Sequence, residues 1–164
     1  MVHRICFFLL FIFLVTPLLS QPSSLAIRLQ NIPDTEGEWE LRATLNLNQN
    51  LANGFVVQVS ENMPMIPVTV RLNNRSVWLQ NLLSVPQRDS VIAWQKVTDG
   101  IMFLCQDDFL KAGDVMEIIF MVSLNNSSQN ESQMVLREIV NRADGVKVSN
   151  QSFVSGTIPA MSKR

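Results

Sequence analysis

The stretch "EWELRATLNLN", residues 38–48, constrains the fold more than any other part of this chain. Trp39, Leu41, Ala43, Leu45 and Leu47 fall on one side of an extended backbone, and Glu40, Arg42, Thr44, Asn46 and Asn48 on the other. Successive side chains of a strand point to opposite faces, so five alternations in a row predict a half-buried β-strand and not a helix.

Similar segments surround it. Residues 25–32, "LAIRLQNI", read as a strand ended by Pro33 and the polar turn "DTEG". Asn53–Gly54 is a turn leading into "FVVQV" (55–59). "VTVRL" (68–72) and "VWLQNLL" (77–83) flank "NNRS", a hairpin tip, and "VIAWQKV" (91–97) and "IMFLC" (101–105) flank "TDG". Asp-Gly between two apolar runs is a strong short-range hairpin signal. "VMEIIFMVSL" (115–124), dense in apolar and β-branched residues, reads as a central strand, and 145–158 returns to strand character.

Two segments are less determined. "DDFLKAG" (107–113) predicts one or two helical turns, with Asp107 as cap and Gly113 as terminator. "ESQMVLREIV" (131–140) fits a helix, since Ser128 and Glu131 have capping-box spacing and Val135, Leu136, Ile139 and Val140 share a helical face; it fits a strand equally. About eight or nine short strands predict an all-β chain with at most one or two short helices. The expected architecture is an immunoglobulin-like β-sandwich, with a partly open β-barrel as the alternative. The Cys…Trp…Cys spacing of antibody domains is absent, so the likeness is one of architecture.

The first residues, "MVHRICFFLLFIFLVTPLLSQ", have a positive start at Arg4, an unbroken apolar run over 5–15, and a small residue at Ser20. This predicts a secretory signal peptide over 1–20, cut after Ser20, and a single domain over 21–164. An uncleaved anchor is the alternative, because Leu18 is not the small residue that cleavage prefers; membrane contact would then run through this segment alone. Without Arg4 the 13 basic and 14 acidic residues leave the mature chain two charges on the acidic side, scattered and with no basic run. Nucleic acid and anionic membrane are therefore poor partners.

Chemistry is constrained mainly by what is missing. The one histidine, His3, lies in the leader, and there is no tyrosine. That removes Ser-His-Asp and Cys-His hydrolysis and histidine-based metal sites from the mature chain. No glycine-rich phosphate loop occurs. Asp107, Asp108 and Asp114 could in principle hold calcium, but the alternating spacing of calcium loops is missing, so a capping Asp107 and two solvated carboxylates are expected, with no metal or cofactor. Glu38 and Glu40, behind Glu36, read as solvated edge charge. An enzyme is not expected.

Binding residues are easier to nominate. Trp39 belongs to the apolar face of its strand. Trp78 and Trp94 could stand outward and stack on a sugar or anchor a partner; Trp94 does so if Val91, Ala93 and Val97 form the core face. Ile27, on the first strand, marks an edge to which a protein partner could add a strand. Cys105, alone once Cys6 leaves with the leader, is expected to be a buried free thiol, or else one half of an intermolecular disulfide. Asn74, Asn125, Asn126, Asn130 and Asn150 each begin an Asn-x-Ser triplet, which a eukaryotic secretory route could glycosylate and a bacterium would leave as polar turn residues. Together these features predict an exported, non-catalytic interaction or assembly domain of a periplasmic or cell-surface complex. The alternatives are a carbohydrate-binding module using an exposed tryptophan, and a glycosylated eukaryotic secreted binding protein.

Overall fold

The computed structural model describes residues 22–35, 37–60, 63–82, 92–105, 109–123, 130–142 and 145–160. The predicted leader, Asp107, Asp108, Asn125 and Asn126 lie outside these residues. Every regular element among them is a strand: β1 (Ser24–Asn31), β2 (Glu38–Asn46), β3 (Gly54–Val59), β4 (Met65–Leu72), β5 (Arg75–Val77), β6 (Leu79–Asn81), β7 (Ile92–Val97), β8 (Gly100–Cys105), β9 (Val115–Ser123), β10 (Ser132–Arg142) and β11 (Gly145–Ile158).

Local chemistry sets the turns. Asn73 and Asn74, which join β4 to β5, both have positive φ, 50° and 64°. Two successive left-handed residues make the turn whose twist matches a hairpin, and asparagine tolerates that conformation better than most residues. Gly54 opens β3 at φ 106°, where a Cβ would be driven into the Phe103 carbonyl of β8. The alternation of β2 holds in three dimensions: Leu41, Ala43 and Leu45 are buried, while the residues between them reach the outer face.

The strands form a five-stranded sheet, β1-β2-β9-β4-β5, and a six-stranded sheet, β11-β10-β3-β8-β7-β6. All pairings are antiparallel except β6 with β7. The chain passes from one sheet to the other at Trp78, between β5 and β6. Phe55 and Phe103 of the six-stranded sheet stack with centroids 5.2 Å apart, and Phe120 of the other sheet meets Phe103 edge-on at 6.2 Å. These rings, with Leu41, Met116 and Ile118, fill the space between the layers. On the side away from the crossing, β1 and β11 touch without a ladder. Gly156 of β11 permits this contact, because a Cβ there would lie 3.0 Å from Ile27 Cδ1.

The architecture is therefore the expected immunoglobulin-like β-sandwich, in open form, and two alternatives left by the sequence are decided. The sheets do not close into a barrel. No helix occurs among the described residues: at 109–113 Leu110 bridges Leu51, and Gly113 N–H donates to the Leu47 carbonyl at 2.8 Å, so these residues are tied to β2's exit. Of the segment 131–140, every residue from Ser132 onward is strand, in β10.

Candidate binding face

The outward side chains of the five-stranded sheet fall into cross-strand rows. One row runs Gln30, Glu40, Met121, Ile66; the next runs Arg28, Arg42, Ile119, Thr69; a third runs Ala26, Thr44, Glu117, Arg71. Arg42 donates to Glu40 Oε1 at 2.8 Å and to Glu117 Oε1 at 3.2 Å, and Arg71 donates to Glu117 Oε2 at 3.2 Å. The hydrogen bond to Glu40, ahead of the Glu117 charge, raises the Arg42 pKa above its ordinary value against a smaller effect of burial. Exposed ion pairs stabilise a fold by only ~0–1 kcal/mol each, so this lattice serves mainly to fix where its charges stand. Ile119, in register with Arg42, is 8% exposed, whereas its neighbours toward the β4 end are not covered. Ile66 is 56% exposed, Val68 48% and Met121 38%.

Val68 faces outward for a structural reason. Pro67 has no N–H for the ladder, and the register between β4 and β9 slips between Pro67 and Thr69. The bulge inserts Val68 as an extra residue and turns it to solvent. The sequence reading begins this strand at Val68 and so passes over Ile66. The available signal was an apolar residue at every position of "MIPV", more than a strand with one buried face requires.

The nominated residues are placed as follows. Trp78, at the crossing between sheets, is 58% exposed. Trp94 is half-buried against the core, because it shares a face with fully buried Ile92 and pairs with Phe103. Ile27 pairs with buried Ala43 and also packs inward; the outward residues of β1 are Ser24, Ala26, Arg28 and Gln30. The structure thus brings none of Trp78, Trp94 and Ile27 onto one surface. Glu40 is not edge charge, since β2 lies inside the sheet and its carboxylate is ion-paired. Asp114 is occupied as a turn acceptor, taking hydrogen bonds from Lys111 N–H and Asn73 Nδ2, both at 2.8 Å. Asn74, Asn130 and Asn150 are exposed.

Cys105 ends β8, half-buried against the core. Burial pushes its thiol pKa up to about 12. Two results are expected. Iodoacetamide should label Cys105 slowly at neutral pH and rapidly in urea, because the thiolate is the nucleophile. Stability should also fall as pH rises from about 9 towards about 12, where an unfolded thiol ionises and the native one still holds its proton. Rapid native labelling, or a reductant-sensitive dimer on gels, would show the thiol to be accessible.

No family model matches this chain, and no curated protein matches it. Among solved structures, the collagen-binding domain of a Staphylococcus aureus adhesin is similar with a TM-score of 0.47 at 8% identity, over 84% of this chain and 97% of that one. The collagen-binding domain of the Erysipelothrix rhusiopathiae surface protein RspB scores 0.43 at 6% identity, over 85% of this chain and 50% of that one. The collagen-binding subdomain of the Enterococcus faecalis surface protein ACE scores 0.39 at 9% identity, over 79% and 94%. At such values the function of this chain has to be read from its own side chains.

Proposed function

We propose that the chain is an exported, non-catalytic domain that binds a protein partner on the outer face of its five-stranded sheet, in the periplasm or at the cell surface. The observation that carries this reading is the contiguous apolar patch of Ile66, Val68 and Met121 beside the Glu40–Arg42–Glu117–Arg71 lattice. Protein interfaces combine an apolar centre with a polar rim, and charges already held in place lose little freedom on docking. The residues after the leader, which lack histidine and tyrosine, suit binding better than catalysis. Strand addition is the other mode a sandwich offers. Here the long edges β1 and β11 lean on each other, and β5 and β6 are three residues each, so face docking is favoured.

Ile66→Asp should weaken partner retention about tenfold or more while shifting the melting temperature little, because the side chain is already in water. The check is a pull-down from native surface extract, with circular dichroism as the folding control. One observation favours a second reading. Trp78 stands out at a sheet edge, as an indole that stacks on a sugar ring must. If Ile66→Asp changes nothing and Trp78→Ala abolishes retention on a polysaccharide column, the domain is a carbohydrate-binding module instead. If export is eukaryotic, the exposed Asn74, Asn130 and Asn150 are the positions to carry glycan on a secreted binding protein.

A further inference from the structure

A concavity lies at one end of the sandwich, apart from the patch on the outer face. It is a groove of about 450 Å³ between the end of β3, the β7–β8 turn and β10. That volume lies in the range of small-ligand sites, ~300–1,000 Å³. Its floor carries the paired residues Gln58 and Val135, and the Thr98–Asp99 turn forms one wall. Arg137 lines it from β10, where the register slips on both sides of that residue. A bulge re-aims the side chain it carries.

Two cations line this groove without an ion partner. Neither Arg137 nor Lys96 takes part in an ion pair with a described residue. The Arg137 Nε–H is shut off from solvent and has no acceptor. A buried donor without a partner is costly, and a planar guanidinium meets a carboxylate through two parallel hydrogen bonds. Turning the edge of the guanidinium into the groove would present Nε–H and Nη–H side by side to such a group. Asp99 is the one acid in the lining, which leaves a single net positive charge and suits a monoanion. The remaining lining mixes the polar side chains of Gln58, Ser60, Thr98 and Gln133 with aliphatic and thioether ones, including Met63, Met65, Ile101 and Val59, and contains no aromatic ring on which a sugar could stack.

We propose that this groove is a binding site for an acidic peptide segment, taking one carboxylate on Arg137 and Lys96 and the flanking aliphatic side chains on the methionines. The site stands independently of the outer-face patch.

The test is titration of the ¹⁵N-labelled protein followed by NMR, with acetyl-Leu-Glu-Leu-amide, its Leu-Gln-Leu counterpart and free glucuronate as probes. The glutamyl peptide should shift the backbone amides of Gln133, Val135 and Gly100 and the Arg137 Nε–H in one saturable process. It should bind at least about tenfold more tightly than the glutaminyl peptide. Arg137→Gln should abolish that preference, and Arg137→Lys should restore it only in part, since an ammonium lacks the planar fork. Should Arg137→Gln fail to fold, Lys96→Gln at an exposed position carries the test, and it should reduce the preference with the spectrum otherwise intact. Equal affinity for the two peptides, no saturable binding, tighter binding of glucuronate than of the glutamyl peptide, or wild-type behaviour of Arg137→Gln or Lys96→Gln would each overturn the assignment.

Discussion

Phe103→Ala is expected to cost about 3–5 kcal/mol of stability, enough to unfold a domain of ordinary stability at moderate temperature. The ring is fully buried, stacks on Phe55 within its own sheet and meets Phe120 edge-on across the layers, so its loss opens a cavity bounded by both sheets. Neither layer can relax into that space without drawing the other along. Urea denaturation followed by circular dichroism reads the loss as a lower midpoint at unchanged slope. Phe153→Ala is the comparison. This ring is half-buried and touches Phe55 only edge-on at 6.5 Å, so the cost should be clearly smaller. Equal losses at the two positions would mean that the sheets do not pack through Phe103.

Gly54→Ala should be nearly as damaging, by about 3 kcal/mol or more. Two costs add at this position. A φ of 106° is one that a side chain resists, and the added methyl is driven into the Phe103 carbonyl, which is backbone in the adjacent strand. A flexible side chain could swing aside, but a carbonyl inside a ladder can move only by breaking the β3–β8 pairing. Gly156→Ala provides the contrast, because its nearest neighbour is the Cδ1 end of Ile27, which can rotate. If thermal melts show Gly54→Ala to be no worse than Gly156→Ala, the close approach of β3 to β8 is wrong.

How much of this was legible in the sequence depended on whether one face of a strand was clearly polar. The alternation at 38–48 named the buried residues of β2 correctly because its polar face carries Glu40, Arg42 and Thr44. In β7 the apolar residues lie on both faces, Ile92 and Trp94 on one and Ala93 and Val97 on the other, so sequence alone did not select the inward side. Pairing with β8 does select it, by placing Trp94 opposite Phe103. In β10 the inward residues are Met134, Leu136 and Ile139, and the step of three between the last two imitates a helix. The register slips around Arg137 produce that step, and a bulge leaves no mark in composition. The outer-face patch was hidden for a similar reason, since Val68 owes its exposure to the slip beside Pro67. The groove was illegible altogether, because it joins residues from β3, the β7–β8 turn and β10 that only the sheet order brings together.

That sheet order also bears on the way the chain can fold as it emerges, N-terminus first, during synthesis. β9 lies between β2 and β4, and β3 lies between β8 and β10, so each sheet receives a middle pairing from a strand distant in sequence. A chain threading out from its N-terminus would present the β1–β2 and β4–β5 hairpins early, each with an open flank, and neither could join the other until Val115–Ser123 had emerged. Pairings this distant slow folding, and open strand flanks invite association with other chains in the interval. For this protein the vulnerable period is therefore the time before β9 arrives, and a holdase that keeps the chain extended until that point would protect it.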